Sequence, residues 1–206
     1  RVADVERRVI MNIEIRKLVP ELAEDYIRFF DTTPHADEVE DHRCYCVWWC
    51  TDDSEGRDYS SVEKRREIAA RYVRGNIIQG YLAYSDGEVV GWCNANTKSD
   101  CQKCYCWRRF MGAIPTGQST PDIKVKSVFC FAIAPQMRRQ GIARQLLDSV
   151  CRDAAQDGFD LVEAYPNKAF FDAAEDFMGP VGLYLESGFV VSHETDDKFV
   201  MIKPLK

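Results

Sequence analysis

No stretch of the 206-residue sequence approaches the ~18 consecutive apolar residues that a membrane span requires, so no transmembrane helix is expected. Basic charge is also short. The 27 lysines and arginines face 33 aspartates and glutamates, for a net charge of −6. A nucleic-acid surface needs a positive footprint, which argues against that class, whereas a cationic small-molecule partner fits the balance. Arg1 to Ile10 is charged throughout and has no apolar core of the signal-peptide kind. That stretch reads as an N-terminal extension, with Met11 an alternative start. Internal repeats and low-complexity linkers are missing as well, and residues 1–206 are expected to form one domain. Histidine is scarce, and His35, His42 and His193 stand at no spacing that pairs them with an acid or a nucleophile. Neither the Walker pattern nor the six-residue dinucleotide fingerprint occurs.

What the chain does contain is an ordinary globular composition, 46% hydrophobic and 29% charged, with strand and helix signals in mixed order. Asn12–Leu18 alternates apolar and polar residues as a half-buried strand does. Pro20 opens a helix with Leu22, Tyr26, Phe29 and Phe30 on one stripe. Ser60-Ser-Val-Glu63 matches a capping box, and the helix it starts runs to Gly75. Asp86-Gly87 between two apolar runs predicts a hairpin. Residues 98–122 read as irregular, with a Pro/Gly/Ser-rich end at Pro115–Pro121. Val125–Ala134 has the length and continuity of a central strand covered on both faces. A helix follows with Ile142, Leu146, Leu147, Val150, Cys151 and Ala154 on one face. Leu161–Ala164 is a short strand, Pro180–Glu186 a short helix, and the chain closes as a hairpin. The fold class is therefore α/β (α+β), with strands outnumbering helices.

The sharpest local signal lies where the central strand ends, in Phe131-Ala-Ile-Ala-Pro135-Gln-Met-Arg138-Arg139-Gln140-Gly141-Ile142-Ala143-Arg144. The first amides of a helix lack intrahelical partners, and the helix dipole adds positive charge there. Gly141 and Ala143 leave room for a bulky anion to reach the backbone, while Arg138, Arg139 and Arg144 supply charge. The physical reading is a pyrophosphate site. On spacing alone, a plain helix start with a solvated arginine face stands equally open.

Arg138-Arg-Gln-Gly141-Ile-Ala143 resembles the Gln/Arg-x-x-Gly-x-Gly/Ala motif of the GCN5-related N-acetyltransferases, the GNAT superfamily. Its flanks agree, with VFCFAIAP like the family's fourth strand and ARQLLDSVCRDAAQDGF like the helix behind it. Downstream, Tyr184-Leu-Glu-Ser-Gly188-Phe189 resembles the family's late Tyr-x-x-x-Gly-Phe turn. The resemblance is specific over residues 123–203 and says little of 31–60 or 98–122. It implies a mixed, mostly antiparallel sheet splayed between its fourth and fifth strands and flanked by helices. It further implies acetyl-coenzyme A as co-substrate, with the pyrophosphate on the turn formed by Arg138, Arg139, Gln140, Gly141, Ile142 and Ala143, beside Arg144. The pantetheine arm would run along the backbone of Phe131, Ala132 and Ile133, and an amide of that strand would serve the oxyanion. The acceptor amine attacks the thioester directly, so the enzyme must align both substrates, take a proton and return one to the leaving thiolate.

Tyr184 matches the family's general acid, against the reading of a core tyrosine. Glu163, in an otherwise apolar strand, is either the base or the partner of a neighbouring strand end, with ordered water as the alternative base. Asp172, Glu175 and Asp176 either attract a cationic acceptor or form a solvated surface. Cys130 and Cys151 read as buried packing thiols.

Six of the nine cysteines cluster in RCYCVWWC (43–50) and CQKCYCW (101–107). An odd count without a secretory signal points to a reducing cytoplasm and disfavours disulfides. Zinc has Cys101-x-x-Cys104 in its favour, but a Cys-x-Cys strand spreads its thiols ~7 Å apart, and no metal is assigned. The position of the first cluster in a GNAT chain makes Tyr45, Trp48 and Trp49 candidate walls of the acceptor pocket, and plain core filling is equally open. The expectation is a cytoplasmic acetyltransferase acting on a primary amine of a small molecule or peptide, as a monomer or homodimer. The competing reading is a coenzyme A-binding sensor or a thiol or zinc regulatory module on the same fold.

Overall fold

The computed structural model describes residues 12–50, 56–111 and 122–206. The expected N-terminal extension and the Pro115–Pro121 stretch lie outside the described residues. Among the described residues, seven strands form one sheet in the order β1-β2-β3-β4-β5-β7-β6. They are β1 (Ile13–Lys17), β2 (Gly80–Ser85), β3 (Glu88–Thr97), β4 (Val125–Ile133), β5 (Leu161–Ala164), β6 (Val190–Glu194) and β7 (Phe199–Pro204). Every neighbouring pair is antiparallel except β4–β5, which is parallel. The helices are α1 (Ala23–Thr32), α2 (Val62–Arg74), α3 (Lys98–Cys101), α4 (Ile142–Gln156) and α5 (Val181–Glu186).

The two apolar faces of the sheet explain the continuous hydrophobic runs. One face packs α1, α2 and both cysteine–tryptophan segments into a single aromatic core. The other packs α4, through Ile142, Leu146, Leu147, Val150, Cys151 and Ala154, with Tyr184 and Phe189 beside it. β4 sits between the two cores, as its apolar run requires. Cys130 and Cys151 are buried packing thiols. A one-residue correction applies at α2. Its N-cap is Ser61, whose Oγ accepts from the Lys64 amide at 3.3 Å, so Ser60 and Glu63 do not form the box that their spacing suggests. Residues 98–111 are more ordered than expected, holding α3 and a π-helical turn at Trp107–Met111. Among the described residues, no helix is long and apolar enough to cross a membrane.

Candidate active site

β4 and β5 pair only from Val125↔Leu161 to Val128↔Ala164. Beyond Val128 the two strands part, and after a bulge at Phe129 the stretch Cys130–Ile133 has no parallel neighbour in β5 while staying paired with β3. The carboxyl end of a parallel strand, at a break in pairing, is where open α/β sheets build ligand sites. α4 begins immediately past this opening, and its first amides have no intrahelical acceptor.

The turn entering α4 is shaped for close approach. Gly141 is the N-cap of α4 with φ +78°, a left-handed conformation that glycine adopts without strain, and a Cβ there would meet nothing within 4 Å. Arg139 is also left-handed, at φ +61°. Arg138, Arg139 and Gln140 are exposed, whereas the Ile142 side chain is buried and offers only its amide. Two of the arginines already have protein partners. Arg138 Nε donates to Ile133 O at 3.3 Å, and Arg144 binds Glu186 through its carboxylate at 3.0 Å and its carbonyl at 2.9 Å. Arg144 thus ties α4 to α5. These features fit a pyrophosphate: open space over a glycine, free helix amides and flanking guanidinium groups.

The free half of β4 is partly occupied by the protein itself. The Phe131 amide donates to Phe177 O at 2.7 Å. One residue on, Met178 O accepts the hydroxyl of Tyr184. Tyr184 is fully buried, and burial pushes its phenol well above the ordinary value, so it stays protonated at any working pH. Its ring packs edge-on against Phe189, as a core tyrosine does, and its hydroxyl is engaged by the Met178 carbonyl.

Glu163 belongs to a sealed network. It is 0% exposed, with Oε1 accepting from Tyr165 Oη at 2.6 Å and lying 2.9 Å from the Lys98 ammonium. Tyr165 and Ser127 hydroxyls share a 2.8 Å hydrogen bond, and burial lowers the Lys98 pKa against the pull of the carboxylate. A carboxylate already holding an ammonium and a phenol, out of solvent, is arranged as a structural anchor between α3 and β5. The acidic loop likewise has structural tasks. Asp176 is buried and accepts the amides of Phe171 and Asp172, while Asp172 accepts those of Ala174 and Glu175.

The two cysteine segments meet in the aromatic core. Trp49 stacks on Phe129 at 4.8 Å between ring centroids, Phe129 stacks on Tyr165, and Trp107 meets both edge-on. Tyr45 is buried at φ +47°, its hydroxyl donating to Asp31 at 2.7 Å and its carbonyl accepting from Tyr26. Of the three proposed pocket walls, Tyr45 and Trp49 are core residues. Trp48 is half-buried and lines a surface groove with Arg57, Tyr59, Tyr105 and Arg108. All nine cysteines are free, and eight are buried.

Seven of these thiols have a raised pKa: burial lifts Cys44 to about 12 and Cys151 to about 11 and raises Cys93, Cys101, Cys104 and Cys106, while hydrogen bonding with Cys46, reinforced by burial, raises Cys130. The unfolded chain releases these protons above pH ~8.5 while the folded chain keeps them, so stability falls as pH rises. Each thiol contributes up to about 1.4 kcal/mol per pH unit. Lys98, Lys126 (lowered to about 8) and Lys198 act in the opposite sense, as does Cys46, whose thiol is held below its ordinary value by hydrogen bonding with Cys130, making three ammonium groups and one thiol against seven thiols. The urea midpoint is therefore expected to drop steeply between pH 8.5 and 10. A flat midpoint would show that the thiols are solvated.

One cluster escaped the sequence reading. His35 Nδ1 and His42 Nδ1 each lie 2.6 Å from the Asp37 carboxylate, which also accepts the Val39 amide. Among the described residues this is the only set of three potential metal donors within 4.8 Å of one another. Its signal in the sequence is the short spacing His-x-Asp-x4-His, so the expectation that no histidine pairs with an acid is corrected here.

The family model described as the acetyltransferase (GNAT) family matches residues 17–189. No curated protein matches the sequence. Among solved structures, a GNAT-family acetyltransferase from Streptococcus pneumoniae is 15% identical, with TM-score 0.53, over 95% of this chain and 100% of that one. The PaiA N-acetyltransferase of Thermoplasma acidophilum, solved in complex with coenzyme A, is 15% identical, with TM-score 0.51, over 94% and 99%. The ribosomal-protein-S18-alanine N-acetyltransferase of Escherichia coli is 14% identical, with TM-score 0.50, over 95% of each chain.

Proposed function

From the membership of this chain in the GNAT acetyltransferase family, we propose that it transfers the acetyl group of acetyl-coenzyme A to a primary amine of a small molecule or peptide, at the β4 opening. The protein is an acyltransferase and acetyl-coenzyme A is its co-substrate. The observation that carries the placement is the coincidence of two features. The β4–β5 pairing ends at Val128↔Ala164, and the α4 N-terminus beyond it is led in by a left-handed, uncovered Gly141.

When bound, acetyl-coenzyme A supplies an activated acyl group. The protein's own part follows from its geometry. Amides at the start of α4, with Arg138 and Arg139, hold the diphosphate. The Phe131 amide points into the opening and is a hydrogen-bond donor for a carbonyl oxygen gaining charge. The Tyr184 hydroxyl, a protonated donor at the same opening, gives a proton to a departing thiolate. Proton removal from the acceptor is assigned to water, because Glu163 is committed to Lys98 and Tyr165. The sensor reading has less support. Buried thiols with raised pKa are held protonated, and reactivity requires the thiolate.

Gly141→Glu tests the placement. The side chain would enter open space at the diphosphate position and oppose it by charge. Calorimetric titration with acetyl-coenzyme A is expected to show at least about a hundred-fold weaker binding, with a native circular dichroism spectrum. Unchanged affinity would move the diphosphate elsewhere.

A further inference from the structure

Two consecutive carbonyls of one segment sit on the two donors that acyl transfer here needs. Phe177 O takes the Phe131 amide at 2.7 Å, and Met178 O takes the Tyr184 hydroxyl. Resting on the function proposed above, we infer that Phe177–Gly179 is an internal gate. It holds the acyl position in the free enzyme, and acetyl-coenzyme A enters only by displacing it.

The contacts are those of an occupant. A carbonyl oxygen on the Phe131 amide stands in for the acyl oxygen, and the next carbonyl stands in for the sulfur as hydrogen-bond acceptor of Tyr184. The Phe177 ring lies 6.3 Å from that of Trp49, which links the gate to the aromatic segment on the α1–α2 side of the sheet. Gly179 presses against the Phe131 ring, and a Cβ there would sit 3.2 Å from it.

The gate also has the build of a movable unit. Asp176 gathers the chain before it, accepting the amides of Phe171 and Asp172 and the side-chain amide of Asn167, while its own carbonyl accepts the Gly179 amide at 2.8 Å. The loop leading into the gate is thus held largely by its own contacts, while Met178 is buried in the aromatic core and Phe177 packs against it, so opening withdraws both side chains from that core. At its far end Gly179 has φ +86° and is followed by Pro180, the N-cap of α5. Phe170 and Phe171 stand 65% and 74% exposed on the same loop, so its outer side is not packed into the core. Displacement breaks two hydrogen bonds to the site and replaces them with equivalent bonds to the incoming thioester. A closed fraction of about nine in ten weakens apparent affinity about ten-fold, because only the open fraction binds.

The test pairs binding with hydrogen exchange. Gly179→Ala strains only the gated conformation, since alanine is disfavoured at positive φ and its methyl would crowd Phe131. Phe177→Ser, which removes the ring contact with Trp49, is the second variant should the first fail to fold. Each is expected to bind acetyl-coenzyme A about three- to ten-fold more tightly than the wild-type protein. In wild type, acetyl-coenzyme A is expected to speed amide exchange at 177–179 while slowing it at Phe131. Wild-type binding with exchange at 177–179 unchanged would overturn the gate and leave the acyltransferase reading standing. So would folded variants that bind equally or more weakly. If neither wild type nor variants bind acetyl-coenzyme A, both readings fall together. If only the variants bind, the gate is confirmed as dominant.

Discussion

Lys98→Met is expected to destabilise the protein by about 3–5 kcal/mol, the cost of leaving a buried charge uncompensated. Glu163 is 0% exposed and the Lys98 ammonium, 2.9 Å away, is the cation that offsets it. Tyr165 Oη supplies one hydrogen bond to Oε1, where the ammonium also sits, and among the described residues Oε2 has no hydrogen-bond partner, so the ammonium carries most of the compensation of the charge. For a chain of this size the loss corresponds to a melting temperature lower by roughly 6–20 °C. The double variant Lys98→Met/Glu163→Leu removes both charges and is expected to recover most of the stability, because apolar replacement of a buried pair is often neutral. Differential scanning calorimetry on the three proteins decides the matter. A mild effect of Lys98→Met, or no recovery in the double variant, would mean that Glu163 is solvated or neutral, and would return it to candidacy as the base.

Tyr184→Phe carries the largest expected catalytic effect. Loss of a positioned general acid costs about 10²–10⁴-fold in rate, so kcat for acetyl transfer should fall within that range while KM for acetyl-coenzyme A does not rise. Stability should drop by only about 1–3 kcal/mol, as the Met178 carbonyl loses a buried donor. The split between the two effects matters, because a merely packing tyrosine would lower stability and leave kcat intact. The pH profile adds a check. Burial keeps the phenol protonated, so no activity limb from Tyr184 is expected below pH 10 in the wild-type enzyme.

The strand, turn and helix start around Gly141 were readable because their pattern is local. A continuous apolar strand, a proline turn, and glycine at the helix start occupy adjacent positions, and each constrains the backbone directly. The hairpin at Asp86-Gly87 was readable for the same reason. What escaped the sequence are partnerships that only the sheet creates. Lys98, the first residue of α3 just past β3, meets Glu163 on β5 across the intervening strand β4, and nothing near either residue signals the other. Tyr45 and Trp49 look like pocket walls in a list of aromatics, yet the chain turns left-handed at Tyr45 and Cys46 and folds them into the core. His35 and His42 converge on Asp37 through a turn at Glu38, which is itself left-handed at φ +60°. The occupation of the Phe131 amide by Phe177 is a backbone contact, and side-chain patterning does not encode it.

The central claim is acetyl transfer to an amine at the β4 opening. It is tested most directly by following thiol release from acetyl-coenzyme A by the wild-type protein, with and without a panel of primary amines that includes polyamines, amino acids and peptide N-termini. Release that depends on at least one amine, with the acetylated amine recovered as product, is the result expected. Bound acetyl-coenzyme A that no amine discharges would contradict it.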